Sequence, residues 1–198
     1  AVLRGRVRCD LFFQYRSDFE AARNGPMTAA RPAINKKAVG LSAAGAALAA
    51  VLVSHWEGMN LVAKHLPFDP PGVITVCGGI TNYDWPWLKV GMKFSEAECR
   101  EALADAAQRY AAEVVKCVPS LPTMPPHRQA AIASFAVNLG PGRICNTSIG
   151  RDLNAGRIVA ACNAMTKYVY ANGKFLQGLL NRRTDAMWGE RPWCLRED

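Results

Sequence analysis

Hydrophobic and polar positions divide the chain into blocks of different character. Residues 38–54, AVGLSAAGAALAAVLVS, carry no charged side chain, and the uncharged stretch continues through Trp56. A run of this kind forms a helix, either near the lower length limit for spanning a bilayer or buried in a protein core. Residues 66–93 read differently. Pro67, Pro70, Pro71, Gly72, Gly78, Gly79 and Pro86 punctuate them around the β-branched GVITV at 72–76, which predicts short strands and turns. Ser95-Glu96-Ala97-Glu98 is a capping box opening a helix to about Cys117, with Leu103, Ala106, Ala107, Tyr110 and Val114 on one face. HRQAAIASFAVNL (127–139) is apolar nearly all round after its first turn, the mark of a central, buried helix. Past the GPGR turn at 140–143, further helices are predicted over about 147–154, 157–170 and 178–188, with stops at Asn154-Ala155-Gly156 and Asn172-Gly173. The expected class is α+β, mostly helical, with the helix from Ser95 bridging a small sheet lobe and a helical lobe.

Length and charge narrow this picture. The 198 residues suit one domain, with room for two lobes. A net charge of +8 favours an anionic partner: nucleic acid, anionic lipid or an acidic wall polymer. No Lys/Arg block with interleaved aromatics occurs, so nucleic acid is not the expected partner. Residues 1–37 form an N-terminal extension. Its first 26 residues hold five arginines and little periodicity; they are either sequence upstream of a natural start at Met27 or a basic arm.

The seven cysteines (Cys9, Cys77, Cys99, Cys117, Cys145, Cys162 and Cys194) include no CxxC, and His55, His65 and His127 have no metal-ligand spacing, so no metal and no cofactor is expected. So many cysteines in a short chain point to disulfides and an oxidising compartment. Cys9 is the odd one. Cys99 and Cys117, on one predicted helix, stand about 27 Å apart at about 1.5 Å per residue and cannot bridge. Cys145 and Cys162 lie on consecutive elements and are expected to pair, while Cys194 ties back the tail.

Candidate chemistry concentrates at 55–81. Glu57 ends the apolar helix; Asp69 follows in a turn-rich stretch; Thr75 lies six residues later on the predicted strand. A proton donor and an ionised carboxylate flanking a saccharide are what glycosidic cleavage needs. An apolar helix end beside Trp56 favours the protonated form of a carboxyl, and a polar turn the ionised form. Each residue alone is more often an ordinary surface group. The aromatic run Tyr83, Trp85, Trp87 suits a sugar groove or, for Trp87 above all, local core. Asn138 either caps a backbone group or lines a cleft. Arg182 and Arg183, about 100° apart on a helix, cannot both face one groove.

The set Glu57-Gly58, Asp69, Gly72, Thr75-Val76-Cys77 and Gly79, with RQAAIASFAVNLGPGRICNTSIGRDLNAG (128–156) and GLLNRR (178–183), resembles phage-type lysozymes, the endolysins. The Glu57–Asp69 loop is longer than the family's usual spacing, and Ile80 stands where the family commonly has histidine. The resemblance covers most of the chain. It implies a lysozyme-like fold over 55–198 with a cleft between lobes. It also implies hydrolysis of the β-1,4 link between N-acetylmuramic acid and N-acetylglucosamine in peptidoglycan, for host lysis, by a monomer without cofactor. Glu57 would be the general acid, Asp69 the second carboxylate and Thr75 the water-holding residue, with Asn138 and Arg182 at the substrate. The weakly apolar 38–54 segment, preceded by Lys36-Lys37, resembles the signal-anchor-release segment of one endolysin subgroup. That implies transient inner-membrane tethering followed by action in the periplasm. The alternatives are a lytic transglycosylase on the same bond and a non-catalytic, membrane-anchored wall-binding protein.

Overall fold

The computed structural model describes residues 40–67, 69–171 and 173–198. The expectations for residues 1–37, for Cys9 and for the first two residues of the 38–54 segment lie outside them.

The uncharged run becomes helix α1 (Ala43–Glu57). Ser42 caps it, its hydroxyl accepting from the Gly45 amide at 3.1 Å. The helix runs unbroken through residue 54, where the sequence reading placed a boundary, and it lies in the protein core. Ala46, Ala49, Ala50 and Val53 are buried at helical spacing, while the opposite face shows mostly alanines to solvent. Among the described residues no helix is long and apolar enough to cross a membrane. In this form the run is therefore the buried core helix of the two readings.

Helix α2 (Glu96–Val115) opens with the expected capping box, Ser95 and Glu98 each bonding the other's backbone. Helix α3 (Pro126–Leu139) buries every residue from Arg128 to Ala136, as its all-round apolar sequence requires. Two apolar clusters result. The larger gathers Ala49 and Leu52 of α1, Ala107, Ala111 and Val114 of α2, and Ile132 and Phe135 of α3. The smaller joins Ala50 and Val53 of α1, and Cys99, Leu103 and Ala106 of α2, to Val76, Ile80, Leu88 and Phe94. Both α1 and α2 thus bridge the lobes; the sequence reading assigned that role to α2 alone.

The small lobe is built on strands β1 (Thr75–Val76) and β2 (Ile80–Thr81), antiparallel with Thr75 opposite Thr81. A single bridge adds Lys64 to Thr75. The predicted strand at 72–76 shrinks to two residues for a visible reason. Side chains take the backbone groups a ladder would have used: Asn82 Oδ1 accepts from the Ile74 amide and the His65 ring bonds the Val73 carbonyl. Trp85 and Trp87 stack with centroids 5.0 Å apart and pack with Phe94 onto the small cluster, the core alternative for Trp87.

The rest of the chain wraps α3: α4 (Gly142–Cys145), α5 (Ser148–Asn154), α6 (Ile158–Met165), the hairpin β3 (Tyr170–Ala171) with β4 (Lys174–Phe175), α7 (Gln177–Thr184) and α8 (Glu190–Leu195). Two expectations fail here. The helix predicted to about residue 170 ends at Met165, because Tyr170–Ala171 instead pairs with Lys174–Phe175 as a hairpin. The last helix ends at Thr184, and the separate α8 was not foreseen. Among the described residues the disulfides are Cys77–Cys99, Cys117–Cys145 and Cys162–Cys194. The expected Cys145–Cys162 pair is wrong. Cys145 turns back to the end of α2, and Cys162 on α6 holds α8 instead. The exclusion of Cys99–Cys117 stands, as does the tie of the tail through Cys194.

Candidate active site

Glu57 is the last residue of α1, and its side chain is 27% exposed. The β1–β2 turn lies directly against it. A Cβ added at Gly78 would stand 2.6 Å from the Gly58 carbonyl oxygen and 3.5 Å from Glu57 Cβ, so only glycine lets the turn approach this closely. The same strand pair carries Thr75, which is 1% exposed and donates its hydroxyl to Asp69 Oδ2 at 2.5 Å. The small sheet thus brings its turn to Glu57 and anchors Asp69 through Thr75.

Behind Glu57 lies a buried ionic chain. Arg182, on α7 and 4% exposed, donates Nη1 to Glu57 Oε1 at 2.6 Å and Nε to Glu190 Oε1 at 3.0 Å. Its Nη2 reaches the carbonyl and hydroxyl oxygens of Ser134 on α3, both at 3.3 Å. Glu190, fully buried, also accepts from Ser134 Oγ at 2.7 Å and from Arg183 Nη1. Arg183 donates Nη2 to Asn138 Oδ1 and stacks its guanidinium over Phe135, 4.8 Å from the ring centre. Burial would lower the Arg182 pKa, but the Glu57 and Glu190 carboxylates outweigh it and hold the guanidinium above its ordinary value.

The expected residues therefore fall into two groups. Glu57, Asp69 and Thr75 belong to the small lobe and the helix end that abuts it. Arg182, expected at the substrate, is committed to protein acceptors and contacts the acid, and half-buried Asn138, also expected there, bonds Arg183. The surroundings of Glu57 also differ from the apolar helix end expected. A guanidinium contacts it, and the neighbouring Trp56 turns away to donate Nε1 to the Trp188 carbonyl at 2.9 Å. Ser134 and Glu190 were missed. A serine within the apolar helix 127–139 was the available signal, since a polar group on a fully buried helix needs a partner.

Fold and site together define a glycosidase-type enzyme of lysozyme build. Residues 54–186 match the phage lysozyme family model, and the chain belongs to that family. It is 30% identical to a SAR-endolysin of Bacteriophage PS119 over 83% of this chain and 95% of that relative. Among solved structures it resembles an endolysin from Escherichia coli O157:H7 phage FAHEc1 at 25% identity and a TM-score of 0.62, over 80% of this chain and 94% of that one. It also resembles P22 lysozyme at 25% identity and a TM-score of 0.61, over 79% and 99%. Its activity is that of an endolysin, the lysis of bacterial peptidoglycan.

Proposed function

We propose that the chain hydrolyses the β-1,4 bond between N-acetylmuramic acid and N-acetylglucosamine, with Glu57 as general acid and Asp69 and Thr75 directing the water. Arg182 engages Glu57 Oε1, which leaves Oε2 to carry the proton toward the leaving glycosidic oxygen. The Thr75 hydroxyl hydrogen is committed to Asp69, so the Thr75 lone pairs remain to accept a hydrogen from water. Asp69 takes the other water proton as the hydroxide adds to the anomeric carbon and the bond to the leaving oxygen breaks. The Thr75–Asp69 hydrogen bond is the observation that favours hydrolysis over transglycosylation, which needs no carboxylate to place a water.

The test is Glu57→Gln on purified peptidoglycan. Glutamine keeps the shape and accepts from Arg182, yet has no proton to give, so release of reducing ends should vanish while the thermal transition persists. Substantial release by a folded variant refutes the assignment. Anhydro-muramic ends from the wild type in place of reducing ends would select the transglycosylase.

The catalytic unit is taken as 55–198, with 38–54 passing through the inner membrane before the protein acts as a monomer in the periplasm. The uncharged composition of that run and the naming of its relatives as SAR-endolysins support this sequence of states. Fractionation of expressing cells should recover the protein first with the membrane and later in the periplasm. Exclusively cytosolic protein at all times would refute it.

A further inference from the structure

Glu190 makes no contact with the small lobe among the contacts described, yet it is fully buried and ionically engaged on two sides. A buried carboxylate of this kind is costly unless its charge is matched. The matching is collective. Two carboxylates, Glu57 and Glu190, stand against two guanidiniums, Arg182 and Arg183, in one connected chain. Arg182 is held along three edges: Nε by Glu190, Nη2 by Ser134 and Nη1 by Glu57. Its planar fork cannot turn without breaking one of them. Glu190 and Ser134 thus fix the plane from which Arg182 reaches the acid. The Cys162–Cys194 disulfide pins α8, and with it Glu190, to the body.

We infer that Glu190 is a positioning residue. It aims the Arg182 guanidinium at Glu57 and matches part of the cationic charge around it. This rests on the reading of Glu57 as the acid. Loss of the Glu190 charge leaves Arg182, in contact with Glu57, and Arg183, on the other side of Glu190, without that partner, so the carboxylate form of Glu57 gains relative to the wild type. The charged groups packed around the chain are Arg182 and Arg183 from α7, Glu190 from α8 and Glu57 from α1. Ser134 and Asn138 of α3 supply neutral partners, and His55, on the far side of Trp56, stacks on Trp188 with centroids 4.5 Å apart.

The experiment is the pH dependence of kcat and KM on purified peptidoglycan for Glu190→Gln, Glu190→Asp and Arg183→Gln, beside the wild type and Glu57→Gln. For Glu190→Gln the alkaline limb of kcat should move to lower pH by about one unit, a roughly tenfold loss on that side, with KM and the acid-side rate little changed. Glu190→Asp keeps the charge and should leave the limb in place while lowering kcat evenly. Arg183→Gln removes a cation and should move the limb to higher pH, which tests the charge balance even if Glu190→Gln does not fold. A limb unmoved in the folded Gln variants, with activity lost evenly at every pH, overturns the inference and leaves Glu190 a structural residue. An active Glu57→Gln variant would instead sink the underlying assignment, so the two failures are distinguishable.

Discussion

Gly45 offers a case where two simple expectations disagree in sign. It lies in the first turn of α1, where Gly→Ala normally gains up to about 1 kcal/mol of helix stability. A Cβ there, however, would stand 2.4 Å from Gln129 Oε1 and 3.0 Å from both Cβ and Cδ of Gln129. Gln129 cannot simply swing aside. It is 1% exposed, its Oε1 accepts from the Ser42 amide at 2.7 Å, and its Nε2 donates to the Pro122 and Met124 carbonyls at 3.1 and 2.7 Å. Losing two of those three bonds costs about 2–4 kcal/mol at roughly 1–2 kcal/mol each, because the abandoned groups are screened from water. The packing term wins, and Gly45→Ala should destabilise by about 1–3 kcal/mol. Urea denaturation with the disulfides oxidised reads this as a midpoint lowered by about 0.5–1.5 M, for an m-value of about 2 kcal/mol/M. The cycle partner is Gln129→Ala. In that background the Oε1 and Cδ contacts are gone and only the 3.0 Å contact with the Cβ of residue 129 remains, so Gly45→Ala should cost much less than it does in the wild type. A Gly45→Ala single variant more stable than wild type would refute the argument.

Two further outcomes follow from single contacts. Thr75→Val preserves shape but removes the hydroxyl bonded to Asp69; kcat for peptidoglycan should fall by about tenfold to a hundredfold at little-changed KM, and an unaltered kcat would remove Thr75 from the water-placing role. The Asp185 carboxylate accepts from the Trp188 and Met187 amides, in that order of effect, which holds it below the ordinary aspartate value. A depressed folded value means stability fully present above the unfolded value of about 3.9 and lost as pH falls through the folded one. Asp185→Asn should therefore lower the melting temperature at pH 6 and shrink the wild-type drop between pH 6 and pH 2; an identical drop in both proteins would contradict this.

The capping box at Ser95 and the all-round apolar helix at 127–139 were legible in the sequence because local chemistry decides them. The first is a pair of reciprocal hydrogen bonds four residues wide, and the second is a burial pattern no surface helix tolerates. The hydrogen bond from Thr75 to Asp69 was not read from the sequence, which showed only that the hydroxyl follows the carboxylate by six residues. Helix α8 was not legible either: six residues are too few for a period, and Pro192 within it reads as a breaker. Nor was the ionic chain. Adjacent arginines on a helix diverge by about 100°, which suggested one at the substrate and the other solvated or salt-bridged. Their long side chains instead converge on one carboxylate from a helix that the sequence did not announce. The disulfide error has the same origin, because proximity along the chain says little about which helices a short connection lets meet.

The uncharged α1 segment shows why its two readings were inseparable in the sequence. Its seat in the body is polar at both ends, yet the polarity comes mostly from elsewhere. At its start Gln108 bonds both the amide and the carbonyl of Leu41, at 2.7 and 2.9 Å, and Gln129 bonds the Ser42 amide. Between the ends, small residues bring the helix close to α2 and α3. At its finish Arg182 meets Glu57, just beyond the uncharged run. A segment that must tolerate lipid and still dock in one register gains from this division. It takes its polar contacts largely through its own backbone and leaves the side-chain donors and acceptors on the body. Under the proposed passage through the membrane, the glutamines at 108 and 129 are then part of what lets a charge-free helix find a single seat and deliver Glu57 to the sheet.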